Sequence, residues 1–268
     1  MKKIGVVGFG RFGSLLAKLA TGTFDVHVVE PDSAHSQSAQ AAGYKLIEFS
    51  SLGEMDIIFL AVPISNLKDV IERLAPLVDE KHVVVDICSV KVYPALLMKQ
   101  HLTRSQLLAT HPMFGPDSAK LGLKGLQVAF CPIAIDDENA KVIEDFWRSY
   151  GVDVIKTTPE EHDQDAAYSL AFTHSISRVI IGMDAPELTF TTRSYNAIME
   201  VAKLCANDSE QLFHDMLVYN PYFIDMEKKL ESSFETTERK LDEFETEQIA
   251  ADLFYAGESP QTQSTSIS

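Results

Sequence analysis

Short apolar runs rich in β-branched residues alternate with amphipathic segments over the first 157 residues of the chain. Because the apolar runs show no polar face, they predict buried strands, at 4–7, 26–30, 57–61, 83–86, 107–109, 128–130 and 152–155. The segments between them have helical spacing, at 12–20, 33–42, 66–74, 94–101 and 139–150. Such alternation predicts right-handed βαβ units around a mainly parallel sheet.

The pattern changes at residue 158. Thr158, Pro159 and Glu161 supply an N-cap, a proline in the first turn and a capping-box carboxylate, and only helical periodicity follows, to about residue 255. We therefore predict an α/β domain over 1–157 and an all-helical domain over 158–255. Small residues at helical spacing in the second half permit close helix packing, which favours a homodimer built on it. The polar ending, 256–268, is typical of a disordered tail.

Charge and composition exclude several classes of protein. A net charge of −16 argues against nucleic acid as a partner, and no run approaches the ~18 apolar residues of a membrane span. Cys88, Cys131 and Cys205 are too scattered for a disulfide framework or a zinc cluster, so no metal site is predicted and a reducing compartment, the cytoplasm, is favoured. Residues 225–252 carry ten acidic and four basic side chains, which is typical of a solvated helix face.

The segment GFGRFG follows the first predicted strand and opens a predicted helix, the context that makes a G-x-G-x-x-G motif specific. Its glycines allow a tight turn, the approach of a pyrophosphate to the backbone, and close packing of helix on strand, with free amides at the helix start. The predicted phosphate-binding loop comprises Gly8, Phe9, Gly10, Arg11, Phe12 and Gly13. These residues predict a Rossmann-type, doubly wound dinucleotide-binding domain; the alternative is that the glycines form only a turn.

An acidic residue, Glu30, ends the second predicted strand, where it can accept hydrogen bonds from both ribose hydroxyls. No Lys or Arg lies beside it, so NAD is favoured over NADP, although Arg11 is a cation that weakens the preference. Ala61, Val62 and Pro63 end another strand and are expected to line the nicotinamide side. Alternatively, Glu30 is an ordinary exposed carboxylate at the end of a strand, and Pro63 merely stops a strand before a helix.

Two polar segments follow later strands. DICSVK begins at Asp86 and THPMFGP begins at Thr110. Together with EEHDQDAAYSLAFTHSISR in the second half, they resemble the prephenate and arogenate dehydrogenases of tyrosine biosynthesis. The form THPMFGPDSAK is most similar to the plant-type arogenate branch, and the resemblance covers about residues 1–215.

The resemblance implies oxidative decarboxylation of a cyclohexadienyl acid: the ring hydroxyl is oxidised, hydride passes to NAD, and the ring carboxylate leaves as CO2. It places His111 as the base, a role for which imidazole is suited near neutral pH. Ser89 matches the serine that binds the reacting hydroxyl and helps to hold His111. Taken alone, His111 could be structural and Ser89 a helix cap.

The substrate-binding residues implied by the resemblance are Lys91, His174, Arg178 and Asp208. His174 and Arg178 are spaced i, i+4, so they share a helix face and suit a dianionic substrate. Alternatively, Lys91 is solvated or only positions other groups. Arg178 could instead pair with a structural carboxylate such as Asp184 or Asp165. Asp208 could be a helix N-cap.

The sequence departs from the bacterial members in three places. Ser177 stands where many have a second histidine, and Phe213 and His214 stand where many have tryptophan and arginine. Either Arg178 or Arg193 then replaces the usual carboxylate-binding arginine, or the site differs.

An acidic Asp208 favours arogenate over prephenate, since only arogenate carries an ammonium, and use of both acids is left open. Two other classes also stay open. One is a β-hydroxyacid or imine reductase with a Rossmann and a helical half. The other is a non-enzymatic NAD-sensing protein that presents its acidic helices to a partner.

Overall fold

The computed structural model describes residues 1–186 and 188–243. The chain divides into two compact units, one that ends at Phe223 and one that starts at Ile224. The domain boundary expected at residue 157 stays a prediction. The expected tail, 256–268, and the last part of the expected helical domain, 244–255, lie outside the described residues.

Eight strands form one sheet in the order β3-β2-β1-β4-β5-β6-β7-β8. The strands are β1 Lys3–Val7, β2 Asp25–Val29, β3 Lys45–Leu46, β4 Ile57–Leu60, β5 Val83–Asp86, β6 Gln106–Pro112, β7 Gln127–Ala134 and β8 Asp153–Lys156. All neighbouring pairs are parallel except β6 and β7. The reversal of chain order next to β1 and the parallel pairing confirm the expected doubly wound, mainly parallel sheet.

Two details differ from the sequence-based expectation. The two-residue strand β3 was not predicted. Strand β6 runs to Pro112 rather than stopping at Ala109, because its antiparallel partner β7 continues the ladder and pairs His111 with Ala129. His111 therefore lies within a strand, held by backbone pairing, and not in the loop after it.

Eleven α-helices lie within the described residues. They are α1 Arg11–Ala20, α2 Ser33–Ala41, α3 Ile64–Leu74, α4 Val92–His101, α5 Pro116–Ala119, α6 Asp137–Ser149, α7 Pro159–Ala166, α8 Thr173–Gly182, α9 Arg193–Ala206, α10 Glu210–Val218 and α11 Phe223–Glu243. Beyond residue 158 the described chain holds helices and their connections without strands, as the periodicity predicts. None of these helices is both long and apolar enough to cross a membrane.

The core lies on both faces of the sheet. Side chains alternate along each strand, so Ile58 of β4 packs in one apolar cluster and Phe59 in the other. Helix α3 contributes Leu67 and Ile71 to the first cluster, and both are fully buried. A fully buried aliphatic side chain contributes about 1.5–3 kcal/mol, so these clusters hold the strand ends rigidly in place.

The second half begins as its capping residues predict. The Thr158 hydroxyl accepts from the Glu161 N–H at 3.2 Å, and the Glu161 carboxylate accepts from the Thr158 N–H at 3.1 Å. Helix α7 continues into α8 through a π-helical segment, Ala167–Phe172. Such wide turns are rare and are often found beside functional sites.

Candidate active site

The glycine loop joins β1 to α1 in the geometry that a phosphate-binding loop needs. Gly8 has a φ of +98°, and its N–H donates to the Val29 carbonyl at 2.9 Å. A Cβ on Gly13 would overlap the Gly8 carbonyl, whereas a Cβ on Gly10 would meet no atom within 4 Å. Gly8 and Gly13 are therefore required by packing, and the open side of Gly10 is where a pyrophosphate can approach the backbone.

The start of α1 fits an anion. Gly10 occupies the N-cap position and, within the described chain, no side chain caps it. The first amides of the helix and its positive dipole end are thus available to a phosphate group.

The Glu30 carboxylate lies directly beside this loop. One oxygen accepts from the Phe9 N–H at 2.6 Å and the other from the Asp32 N–H at 2.9 Å. Glu30 is therefore held in a defined position at the end of β2 rather than moving freely in solvent. A carboxylate fixed there suits a ribose with both hydroxyls and repels a 2′-phosphate.

The Arg11 guanidinium is hydrogen-bonded to other groups of the protein. Its guanidinium donates to Asp117 at 2.5 Å and to the Asn207 carbonyl at 2.8 Å, and it also lies 3.4 Å from Asp208. These bonds join the phosphate loop to α5 and to the connection between α9 and α10. Because both ends of the guanidinium have partners, Arg11 weakens the preference for NAD less than its charge alone would.

The loop after β4 packs against the glycine loop. The Ala61 N–H donates to the Val7 carbonyl at 2.8 Å, and a Cβ on Gly8 would overlap the Ala61 carbonyl. Val62 is half-buried against the core, and Pro63 precedes α3 as its N-cap residue. The expected nicotinamide-side residues thus lie next to the phosphate loop.

Helix α10 reaches this loop through a buried acid. The Asp215 carboxylate accepts from the Ser65 N–H and hydroxyl, both at 3.3 Å, at the start of α3. The Gln211 amide donates to its other oxygen at 2.7 Å. Asp215 therefore accepts a hydrogen bond from a free backbone N–H at the N-terminus of α3. It joins the helical half to the Ala61–Pro63 loop.

His111 is buried near the end of β6 and contacts a second histidine. Its Nδ1 lies 2.9 Å from Nε2 of His162, and Nδ1 of His162 lies 2.8 Å from Oδ1 of Asp163. All three side chains are buried. Neither His162 nor Asp163 was predicted from the sequence as a site residue, although both stand in the segment EEHDQD.

Burial lowers the pKa of His111 well below its ordinary value, and the neighbouring His162 and the charge of Lys91 lower it further. His111 is therefore neutral at neutral pH, which is the state in which imidazole can accept a proton.

Lys91 is fully buried, and its ammonium group is hydrogen-bonded to other groups of the protein. Its ammonium donates to Asp86 and, at 2.7 Å, to the Thr110 carbonyl, while the Thr110 hydroxyl donates to the Asp86 carbonyl at 2.8 Å. Burial raises the pKa of Asp86, an effect that the charge of Lys91 opposes. These contacts tie the end of β5 to the residue before His111, which favours the positioning role of Lys91 over contact with substrate.

Several predicted site residues carry buried polar atoms that no group in the described part of the chain satisfies. They are the Ser89 hydroxyl, Nδ1 of His174, and Nε and Nη2 of Arg178. A buried donor or acceptor without a partner costs roughly 1–3 kcal/mol, so such atoms usually have a ligand or water. Ser89 also does not cap α4, whose N-cap residue is Lys91.

His174 and Arg178 both lie next to acidic residues near the start of α10. Nε2 of His174 lies 3.8 Å from Asp208, and burial lowers the pKa of His174 while the Asp208 charge raises it. Arg178 pairs with Glu210 and stacks 4.4 Å from the Phe213 ring centroid. Asp208 is not the N-cap of α10, since Ser209 occupies that position, and Glu210 replaces the carboxylates expected for Arg178.

Polar contacts connect three of the predicted residues, His174, Asp208 and Arg11. His174, Asp208, Arg11 and Asp117 form a continuous chain of polar contacts. Phe12 of α1 also lies 6.2 Å, between ring centroids, from Phe114 in the segment after His111. Arg193 lies at the start of α9 and contacts none of these residues among the bonds of the described chain. Within the same residues, no group of three His, Cys, Asp or Glu side chains could hold a metal ion.

Two family models match the chain. The model "Prephenate dehydrogenase, nucleotide-binding domain" matches residues 17–156, and "TYRAAT1-like, C-terminal domain" matches residues 179–253.

Two of the similar relatives are plant enzymes. The chain is 30% identical over 251 residues to arogenate dehydrogenase 1, chloroplastic, of Arabidopsis thaliana, and 28% identical over 250 residues to arogenate dehydrogenase 2, chloroplastic. Each match covers 89% of this chain, but the chain spans only 39% of the first relative's length and 70% of the second's.

Among solved structures, prephenate dehydrogenase from Aquifex aeolicus, in complex with hydroxyphenyl propionate and NAD+, matches with a TM-score of 0.74. That match covers 96% of both chains at 17% identity. At this identity the likeness concerns the fold.

Proposed function

The chain belongs to the prephenate dehydrogenase family, and from that premise we propose that it catalyses the NAD-dependent oxidative decarboxylation of arogenate or prephenate. The observation that carries the proposal is the set of buried, unpartnered polar atoms on Ser89, His174 and Arg178. Unpartnered donors, two of them on a guanidinium, suit a substrate that carries two carboxylates and a hydroxyl.

His111 supplies the base. It accepts the proton of the ring hydroxyl. Bound NAD would supply the hydride acceptor for the carbon that carries this hydroxyl, and the ring carboxylate would leave as CO2. The lowered pKa of His111 keeps it neutral for this purpose, and Lys91 holds the strand end that carries it. Ser89 binds the reacting hydroxyl.

NAD fits the residues around the glycine loop. Gly10 has open space on its exposed side, α1 presents its amino-terminal amides, and Glu30 is fixed beside the loop. The same Glu30 disfavours NADP by repulsion of the 2′-phosphate. The solved structure of the Aquifex aeolicus prephenate dehydrogenase contains NAD+, which supports the same cofactor here.

Arogenate is the favoured acid. Asp208 lies next to His174 with its side chain partly exposed, so it can accept a hydrogen bond from the ammonium that only arogenate carries. The names of the two plant relatives support this order.

The helical half is proposed to form a homodimer, since α8 and α9 carry exposed apolar side chains. The cysteines Cys88, Cys131 and Cys205 are unpaired and buried, which supports a reducing compartment; a cytoplasmic location remains a proposal, and the two plant relatives are named chloroplastic.

The test is NADH formation at 340 nm with purified protein, NAD, and either acid in parallel, repeated with NADP. We expect turnover with at least one acid, faster with arogenate, and faster with NAD than with NADP. His111→Asn serves as the control and should abolish turnover without preventing NAD binding. No turnover with either acid, while NAD still binds, would contradict the proposed reaction.

A further inference from the structure

A line of polar side chains runs behind His111 towards the start of α4. His111 contacts His162, and His162 contacts Asp163, at 2.9 and 2.8 Å. Asp163 is fully buried, and the two histidine side chains are at least nine-tenths buried. Buried polar groups are costly unless they are paired, so three in a row need an explanation beyond packing.

The donors around Asp163 fix the direction of these bonds. Its two carboxylate oxygens accept from the backbone N–H groups of Lys91, at 2.7 Å, and Val92, at 2.8 Å. A carboxylate used in this way is an acceptor, so Nδ1 of His162 donates to it. The Asn220 amide donates to the Asp163 carbonyl at 2.9 Å and holds the backbone of α7 in place.

One tautomer of His111 follows from this direction. A neutral His162 that donates from Nδ1 has its lone pair on Nε2, so it accepts the hydrogen of Nδ1 in His111. A neutral His111 that donates from Nδ1 has its own lone pair on Nε2. Without such partners, nothing in the ring itself would select this nitrogen.

We propose that His162 and Asp163 are positioning residues of the reaction, which hold His111 in the tautomer whose Nε2 accepts the substrate proton. This inference rests on the proposed function, in which His111 is the base.

The pair also stabilises the charge that the reaction creates. When the substrate O–H bond breaks and an N–H bond forms at Nε2, His111 becomes a cation in a buried site that also faces Lys91. The Lys91 ammonium is paired with Asp86, so Asp163 is the carboxylate left to balance the new charge. The Nδ1 proton of His111 can move to His162 Nε2, which places the cation next to Asp163. When product leaves, the Nδ1 proton returns to His111 and the substrate-derived proton on Nε2 is released to solvent, which restores the neutral starting tautomer.

Three variants separate positioning from packing. His162→Leu removes both hydrogen bonds, whereas in His162→Gln an amide oxygen can accept from His111 and the amide N–H groups can donate to Asp163. His82→Leu is the matched control, because His82 is equally buried and hydrogen-bonded but lies before β5, at the opposite end of the sheet from His111. Asp163 itself is left unchanged, since it also holds the start of α4.

Two readouts are needed. Histidine-selective ¹⁵N NMR reports which ring nitrogen of His111 carries hydrogen, with His111→Asn used for assignment. We expect the Nδ1–H form in the wild type and in His162→Gln, and loss of that preference in His162→Leu. In steady-state assays, kcat of His162→Leu should fall about 10–100-fold with KM for the acid within about threefold, and His162→Gln should recover most of it.

Equal losses in both His162 variants, or an unchanged His111 tautomer in His162→Leu, would overturn the inference. So would a loss of similar size in His82→Leu, since that would indicate a general effect of removing a buried histidine. If the wild type oxidises neither acid, the proposed function fails, but the NMR result still decides whether His162 and Asp163 set the tautomer.

Discussion

Burial and neighbouring groups both lower the pKa of His111. A lowered pKa means that the neutral, active form persists below about pH 6.5, the ordinary value for histidine. We therefore predict that kcat/KM stays constant as the pH falls through 6.5 and decreases only in more acidic solution, through protonation of the base. The measurement is the pH profile of kcat/KM at constant ionic strength; an acid limb centred at or above 6.5 would contradict the environment described for His111.

Arg178 carries N–H groups that have no partner among the described residues. Its Nη1 pairs with the exposed Glu210, but Nε and Nη2 are buried without partners in the described chain. We predict that Arg178→Gln raises KM for the acid about 10–100-fold, equivalent to about 1.4–2.8 kcal/mol of lost binding, and leaves the Kd for NAD unchanged.

The matched control for Arg178 is Arg148→Gln. Arg148 also pairs with a helical glutamate, Glu144, but on the exposed surface of α6, so its loss should change neither constant. Steady-state kinetics and a fluorescence titration with NAD measure both. An unchanged KM in Arg178→Gln would mean that the carboxylate is bound elsewhere.

At the residue scale, the sequence indicated candidate side chains for the chemistry but not how they are paired. Glu30 could be found because it follows a strand at the edge where ligands bind, and His111 was indicated by the resemblance of the segment that contains it. His162 and Asp163 could not, since an HD pair on a helix gives no indication that the helix passes behind β6. The partner of Arg178 was missed for a similar reason, because Glu210 lies on a different helix.

At the scale of elements, the alternating pattern of strands and helices was sufficient to predict the doubly wound sheet. The antiparallel pairing of β6 with β7 was not predictable, because a strand buried on both faces shows the same apolar run in either orientation. That pairing extends β6 through His111, so the candidate base is carried by a sheet strand and not by a loop.

The glycine loop allows a comparison of two substitutions in one element. Gly13→Ala places a methyl group against the Gly8 carbonyl, and we predict a loss of about 1–3 kcal/mol of stability together with weak NAD binding. Gly10→Ala meets no atom within 4 Å, so it should keep its thermal midpoint while its Kd for NAD rises about tenfold or more. Thermal melting and NAD titration are the measurements.

Equal destabilisation by both alanines would contradict this assignment. A side chain at position 10 would then clash with neighbouring atoms, and Gly10 could not have the open side that the pyrophosphate approaches.

At the scale of the whole molecule, apolar side chains on the outside of the helical half need a partner surface. Val179 and Ile181 of α8, and Ile198, Val201 and Leu204 of α9, are all at least 42% exposed. The two helices pack on each other, and the three side chains of α9 recur every three residues, so they form a stripe along one side of that helix. Such exposed apolar groups commonly mark interfaces between protein chains.

We predict that the protein is a dimer at micromolar concentration and that Ile198→Glu with Val201→Glu shifts it to monomer, because two charges would then be buried at the interface without partners. Sedimentation velocity measures the change. The control is Lys68→Glu, which also places a glutamate on an exposed helical position, in α3, and should remain dimeric. A wild type that sediments as a monomer, or a double variant that stays dimeric, would show that these side chains of α8 and α9 do not form the interface.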